Sequence, residues 1–226
     1  MTWRKFFAIT VMAAVGVGVA AASFAQERFD FQVRDEMFRA FAGNEAAFKS
    51  AVSIIEEKLR EDPDHAEALV WRGAARYWKA GQAFGAGDIA GAKILAAAAM
   101  VDMDRAIALQ PGDIGVLIPR ATVLLAAARN QRDPVRARDL AARAAADFET
   151  ALAIRRPAFD QLGQHNRGEY LSGLAESWAL AGNQGKAESY LRRVLTELPS
   201  SPYAERAAAK LADWSDRRPL NCQTCH

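Results

Sequence analysis

Apolar residues recur along most of this chain at spacings of three, four and seven, the period of one face of an α-helix. The clearest run is Leu171, Leu174 and Trp178 at i, i+3 and i+7. Gly182-Asn183 then ends that helix, and Ala187, Leu191 and Val194 continue in a second one that Pro199 stops. The small Ala187 allows the two helices to approach closely. Looser copies precede it. Ala51, Ile55, Leu59 and Pro63 read as the second half of a pair, and Leu69, Gly73 and Tyr77 open the next. Met103, Ala106 and Pro111 close that pair, and Phe148, Ala151 and Pro157 close another. Alanine and leucine are abundant and β-branched runs are few, which also favours helix. The pattern predicts an all-α fold of four helical pairs and one capping helix over Pro202 to Ser215.

These positions, with large, small, aromatic, Gly, Ala and Pro residues in register, resemble the tetratricopeptide repeat family from about residue 31 to about residue 215. The resemblance implies an antiparallel helical-hairpin solenoid with a groove for protein partners. The chain departs from the pattern in three places. Gly73 to Pro111 exceeds the family's period by about 14 residues. The excess lies in Ala80 to Ala98, which contains Gly81, Gly85, Gly87 and Gly91, and within it Gly85 to Gly91 predicts an extended loop between helices beside an alanine-rich one. Lys58 stands where the family prefers alanine, and Pro119 falls inside a first helix, predicting a kink or a later start. The glycines from Gly85 to Gly91 do not have phosphate-loop spacing and no strand precedes them, which excludes a nucleotide-binding reading.

The first residues have another character. Arg4 and Lys5 precede an uncharged run from Phe6 to Ala22, and Ser23-Phe24-Ala25 offers small residues for a signal peptidase. Residues 1–25 are therefore expected to be a signal peptide removed before Gln26, leaving a repeat domain over 26–215 and a tail over 216–226. The apolar run is a little short for a membrane span, which needs about 20 residues, and no cysteine follows the cleavage site to take a lipid. Export to the periplasm, with no stable membrane span afterwards, is the expected localisation. Cleavage removes two of 29 basic residues, so 27 face 27 acidic ones and the mature chain is neutral. A nucleic-acid binder would carry a basic excess.

The candidate chemistry stands at the other end. Cys222-Gln223-Thr224-Cys225-His226 spells C-x-x-C-H and contains both cysteines of the chain. Two thiols at this spacing suit thioether bonds to the two vinyl groups of one haem, and the adjacent imidazole suits an axial position on its iron. The motif resembles that of the c-type cytochromes. That resemblance implies one covalent haem c, joined outside the cytoplasm through Cys222 and Cys225 and ligated by His226. A dithiol–disulfide pair and a metal site remain alternatives at this point. No helix follows the motif to lower a thiol pKa, and zinc would need a fourth ligand from elsewhere.

Cytochromes usually carry the motif early and wrap the haem with later segments. Here cover must come from upstream helices, another chain or solvent. Asp216 to Asn221 forms a tether of at most about 20 Å. The second axial ligand would be His65 or His165, each near the start of a first helix, or a histidine of a neighbouring molecule, so that haem ties copies together. Met37, Met100 and Met103 sit at core spacing and are expected to pack. Arg217 and Arg218 are candidates to pair with the haem propionates. A carboxylate on His226 would lower the reduction potential.

Three functional classes follow. The first is an electron-transfer protein whose array docks a redox protein or cytochrome. The second is a periplasmic assembly module, of the kind that holds apocytochromes in some exported members of the repeat family, using the cysteines as a dithiol or metal site. An enzyme is not expected: there is no G-x-S-x-G, no H-E-x-x-H and no histidine cluster.

Overall fold

A computed structural model describes residues 28–220. Residues 1–25, expected to be a signal peptide, and the C-x-x-C-H motif, with Cys222, Cys225 and His226, lie outside the described residues. The described residues form nine α-helices and no strand: α1 Phe29–Phe41, α2 Glu45–Glu61, α3 Ala66–Gly85, α4 Ile89–Leu109, α5 Ile114–Asn130, α6 Pro134–Arg155, α7 Gln164–Leu180, α8 Gln184–Glu197 and α9 Pro202–Ala212. A 3-10 helix, Arg156–Gln161, links α6 to α7.

Local chemistry sets the boundaries. Side chains of Asn44, His65, Asp88, Asp113, Asp133, Asn183 and Ser201 each accept a backbone N–H of the helix they precede, satisfying donors that have no intrahelical partner. Gly43, Gly87 and Gly182 turn the chain at positive φ between the members of three pairs, a conformation that costs glycine nothing.

Successive helices pack as antiparallel pairs, α1 with α2 through α7 with α8, and α9 caps the last. The odd-numbered helices also touch one another in succession, α1 with α3, α3 with α5, α5 with α7 and α7 with α9. They form the inner row of the array and the even helices the outer one. The residues of the sequence pattern face inward between helices: Leu171, Leu174, Ala187, Leu191 and Val194 are buried, as are Ala51, Ile55, Leu59, Met103, Ala106, Phe148 and Ala151. Gly73 lets α3 and α4 meet, since a Cβ there would lie 2.8 Å from Met103 Cγ. Ile107, Ile118, Leu152 and Tyr190 bridge three apolar clusters into one core.

Three expectations are corrected. A turn between helices does fall within Gly85 to Gly91, but it is not extended: α3 and α4 both lengthen, and only Ala86, Gly87 and Asp88 lie between them. Each isolated glycine costs a helix about 1 kcal/mol relative to alanine, which long mutual packing offsets. The extra turns carry exposed Phe84, Ile89 and Ile94. Of the two outcomes expected at Pro119, the later start is not found: α5 begins at Ile114, with Asp113 capping Gly115 N–H, and runs on through the proline. Finally, the capping helix ends at Ala212 rather than Ser215, because Asp213 accepts from both the N–H and the hydroxyl of Ser215 in a turn.

Among the described residues no helix is long and apolar enough to cross a membrane.

Candidate functional site: the inner face of the seventh helix

α7 follows the 3-10 helix and starts at Gln164 without a side-chain cap. His165, Glu169, Ser172 and Glu176 are spaced 4, 3 and 4 apart and so share one stripe of it. The stripe faces the inner row, because Glu176 reaches α5 and Glu169 reaches α9.

At one end, Glu176 is 8% exposed. Its Oε1 accepts Arg129 Nε at 2.5 Å and its Oε2 accepts Arg129 Nη2 at 2.6 Å, a planar two-point match that fixes the carboxylate. The same Oε2 accepts the backbone N–H of Leu220 at 3.0 Å. Leu220 is itself buried and belongs to the apolar cluster containing Leu171, Ala175 and Tyr203. The segment after α9 is thus not the simple extended tether expected. Lys210 Nζ donates to the carbonyls of Trp214 and Asp216, and the chain returns to α7 at Leu220. Arg218 donates to the Asp216 carboxylate through its Nε, Nη2 and backbone N–H. These bonds, side chain first, hold Asp216 down at about 2. Arg218 is therefore engaged within the tail, and Arg217 is exposed.

At the other end, the buried Tyr203 ring lies over Gly168, where a Cβ would collide with it. Tyr203 O–H donates to Glu169 Oε1 at 2.7 Å and lies 2.9 Å from His165 Nδ1. A phenol has one proton and a carboxylate only accepts. The phenol of α9 thus meets two side chains of α7, His165 and Glu169.

His65 is held by backbone instead. Its Nδ1 accepts Ala68 N–H at 3.2 Å as the cap of α3, so the neutral ring bears its proton on Nε2. Burial, and then Lys58, push its pKa down. Phe29 meets its ring edge-on at 5.1 Å. It lines an open cleft of about 570 Å³ whose rim mixes Arg28 and Lys58 with Glu57, Glu61, Asp62 and Glu67. Met37 and Met103 are fully buried and Met100 is half-buried in the core; all three pack.

Of the residues singled out from sequence, only His165 shares a helix face with the tail's anchor; His65 is at the other end of the array. Glu176, Arg129, Leu220, Tyr203 and Glu169 were not foreseen. The 4-3-4 spacing in α7 was the one sequence signal for them. No group of three His, Cys, Asp or Glu among the described residues is placed to hold a metal ion. Compared with family models, curated proteins and solved structures, the chain matches none.

Proposed function

We propose that this protein is an exported electron carrier with one haem c, joined by Cys222 and Cys225, ligated by His226 and borne on a tetratricopeptide-like array. One observation carries the reading. The chain's two cysteines stand with a histidine in the C-x-x-C-H spacing, and the tail that bears them is anchored two residues earlier, at Leu220, on the inner face of the array. When bound, the haem supplies reversible one-electron chemistry. The chain's residues do the rest. Glu176 and Arg129 fix the tail, and the helices cover one side of it. The array presents its remaining surface to a redox protein or cytochrome. Residues 1–25 direct export, which places the cysteines where haem is joined in the cytochromes the motif resembles. No catalytic residue is assigned.

The anchored tail also bears on the rival assembly role. A segment of the chain itself occupies the inner face at α7, the surface on which a client peptide would be held. The test is mass spectrometry and a haemochrome spectrum of the full chain, matured in a host that ligates c-type haem. One porphyrin adduct, lost in Cys222→Ala/Cys225→Ala, is the expected result. A bare chain that is colourless and binds a cytochrome-derived peptide through its cysteines would establish the rival role instead.

A further inference from the structure

We propose that the outer face of α4 is a self-association surface, which packs antiparallel on the same face of a second copy of this chain. It owes nothing to the haem reading. Of the eight large apolar side chains exposed among the described residues, five fall between residues 84 and 109: Phe84, Ile89, Ile94, Val101 and Leu109. Ile94 is 70% exposed and Val101 68%. The outer faces of α2 and α8 are solvated in the ordinary way, by Lys49, Ser53 and Glu57 on one and Ser189, Arg192 and Thr196 on the other. From Ile89 to Val101, α4 carries a single charge, Lys93. A helix that is apolar on every side is one that is covered on every side, and α4 is bare on one.

The spacing of that bare face selects a second copy as its cover. Ala90, Ile94, Ala97 and Val101 are all exposed and stand 4, 3 and 4 residues apart. They form a heptad seam, with β-branched residues at a and alanine at d. In one antiparallel register Ile94 faces Ala97 of the second copy and Val101 faces its Ala90, and a twofold axis repeats both pairs in reverse. Every layer then sets one large side chain against one small one, so the helices approach to the near end of the usual spacing of about 8–10 Å.

The charges fit the same register. Asp104 is the next residue of the seam and is held by Arg120 and Arg143. It falls opposite Gly87 of the second copy, in the turn before α4 begins, so no carboxylate is buried between the helices. Lys93 has no partner among the described residues. It shares a flank with Asp104 of the second copy, about 9 Å away along the axis, a gap that a lysine side chain largely covers. A lipid surface is the poorer match, since an interfacial helix is rich in cations along its polar side. The four layers span about 17 Å, which puts the contact at the small end of protein interfaces. The pair is therefore weak and concentration-dependent.

The test is sedimentation of the full chain, as matured by its host, over a wide range of concentration. The average mass should climb toward that of two chains. Ile94→Glu and Val101→Glu should each weaken the association by about tenfold or more, because each buries a carboxylate without a partner. Unchanged helicity in both variants separates a lost contact from a lost fold. Val135→Glu, at a position of α6 that is 74% exposed, should match the parent. Cys222→Ala/Cys225→Ala should match it too. In that cysteine-free background a mixture of Ala90→Cys and Val101→Cys chains should be joined by a short thiol cross-linker. Neither protein alone should be, since like positions lie about 16 Å apart along the axis.

A chain that stays monomeric at every concentration overturns the proposal. Association that survives both glutamates moves it to another face, and association lost with the cysteines moves it to the haem; either result overturns it. Cross-links within each single-cysteine protein overturn the antiparallel register. Vesicles of phosphatidylglycerol and phosphatidylcholine supply the last arm: a monomer that binds them, and loses them in Ile94→Glu, gives the face to a lipid surface instead.

Discussion

The two ends of the inner row are built from the same parts and put them to different use. At the first end, Glu67 of α3 accepts Arg28 Nε at 3.2 Å and the backbone N–H of Asp30 at 3.0 Å, and His65 stands one residue before the helix. At the second end, Glu176 of α7 accepts Arg129 and the backbone N–H of Leu220, and His165 stands at the second residue of the helix. In both, a glycine makes room: Gly115 for the Glu67 carboxylate, Gly168 for the Tyr203 ring. The difference lies in what the buried carboxylate holds. Glu67 ties down the start of α1, next to it in the fold, and Asp30 and Asp113 crowd it. Burial first, and those neighbours after it, raise its pKa. Glu176 ties down a segment from far along the chain, the one that leads to the cysteines. The same pairing that closes one end of the array makes the other a seat. Two histidines at similar places in their helices diverge in the same way: His65 Nδ1 caps its own helix through Ala68 N–H, whereas His165 Nδ1 meets the Tyr203 phenol of α9.

The largest test lies between the two ends. Arg120 and Asp147, each 7% exposed, join α5 to α6, with Asp104 of α4 as a further partner of Arg120. Arg120→Ala leaves a buried carboxylate without its main partner and should cost about 3–5 kcal/mol in denaturant unfolding. If either end unfolds separately in that variant, the array is two cooperative units rather than one. Asp147 also carries a pH signature. Burial lifts it to about 6 from 3.8, against the pull of Arg120. A carboxyl raised on folding binds more protons in the native state. Its contribution is present in full below about pH 4 and lost as pH rises through about 6. Asp147→Asn should abolish about 3 kcal/mol of that dependence.

Next come the glycines that make room. Gly168→Ala drives a methyl into the Tyr203 ring, wedged between helices, and should cost about 1–3 kcal/mol. Gly115→Ala meets the Glu67 carboxylate and Arg28 Nη2, so Glu67 must loosen its bonds to Arg28 and Asp30, and a gain in helix propensity of about 1 kcal/mol offsets part of that loss. Its net effect on the melting temperature should be the smaller. Equal losses would mean that the two ends are equally tightly packed.

The smallest effect belongs to the cap. His65→Ala should cost about 1 kcal/mol, the usual worth of an N-cap, and His65→Asn should recover most of it. The pKa of His65 is lowered on folding, so the cap is intact above pH 6.5 and lost as pH falls through the lowered value. Thermal melts of parent and His65→Asn between pH 7.5 and pH 5 check this: the parent alone should lose the cap's share.

The helical pairs were legible because their signals are local. Leu171, Leu174 and Trp178 mark a face, Gly182 a turn at positive φ, and Pro199 a stop; all three readings match the structure. Gly85 to Gly91 marked the place of a turn but not its length, because glycine in sequence signals a loop, whereas two long helices that shield each other tolerate it. Pro119 did not delay α5, whose start is set by the Asp113 cap. The inner site was partly legible. His165 was visible as one of three histidines, but no feature of the sequence distinguished it from His65.

What the amino-acid order determined by itself was the set of helices, their pairing and the presence of one C-x-x-C-H, since each depends on residues a few positions apart. What only the tertiary structure decided was where Leu220 sits and which partner each histidine meets. Leu220 meets Glu176 across 44 residues and Tyr203 meets His165 across 38. Such contacts come from the packing of α5, α7 and α9 side by side, which no pattern a few residues long can encode.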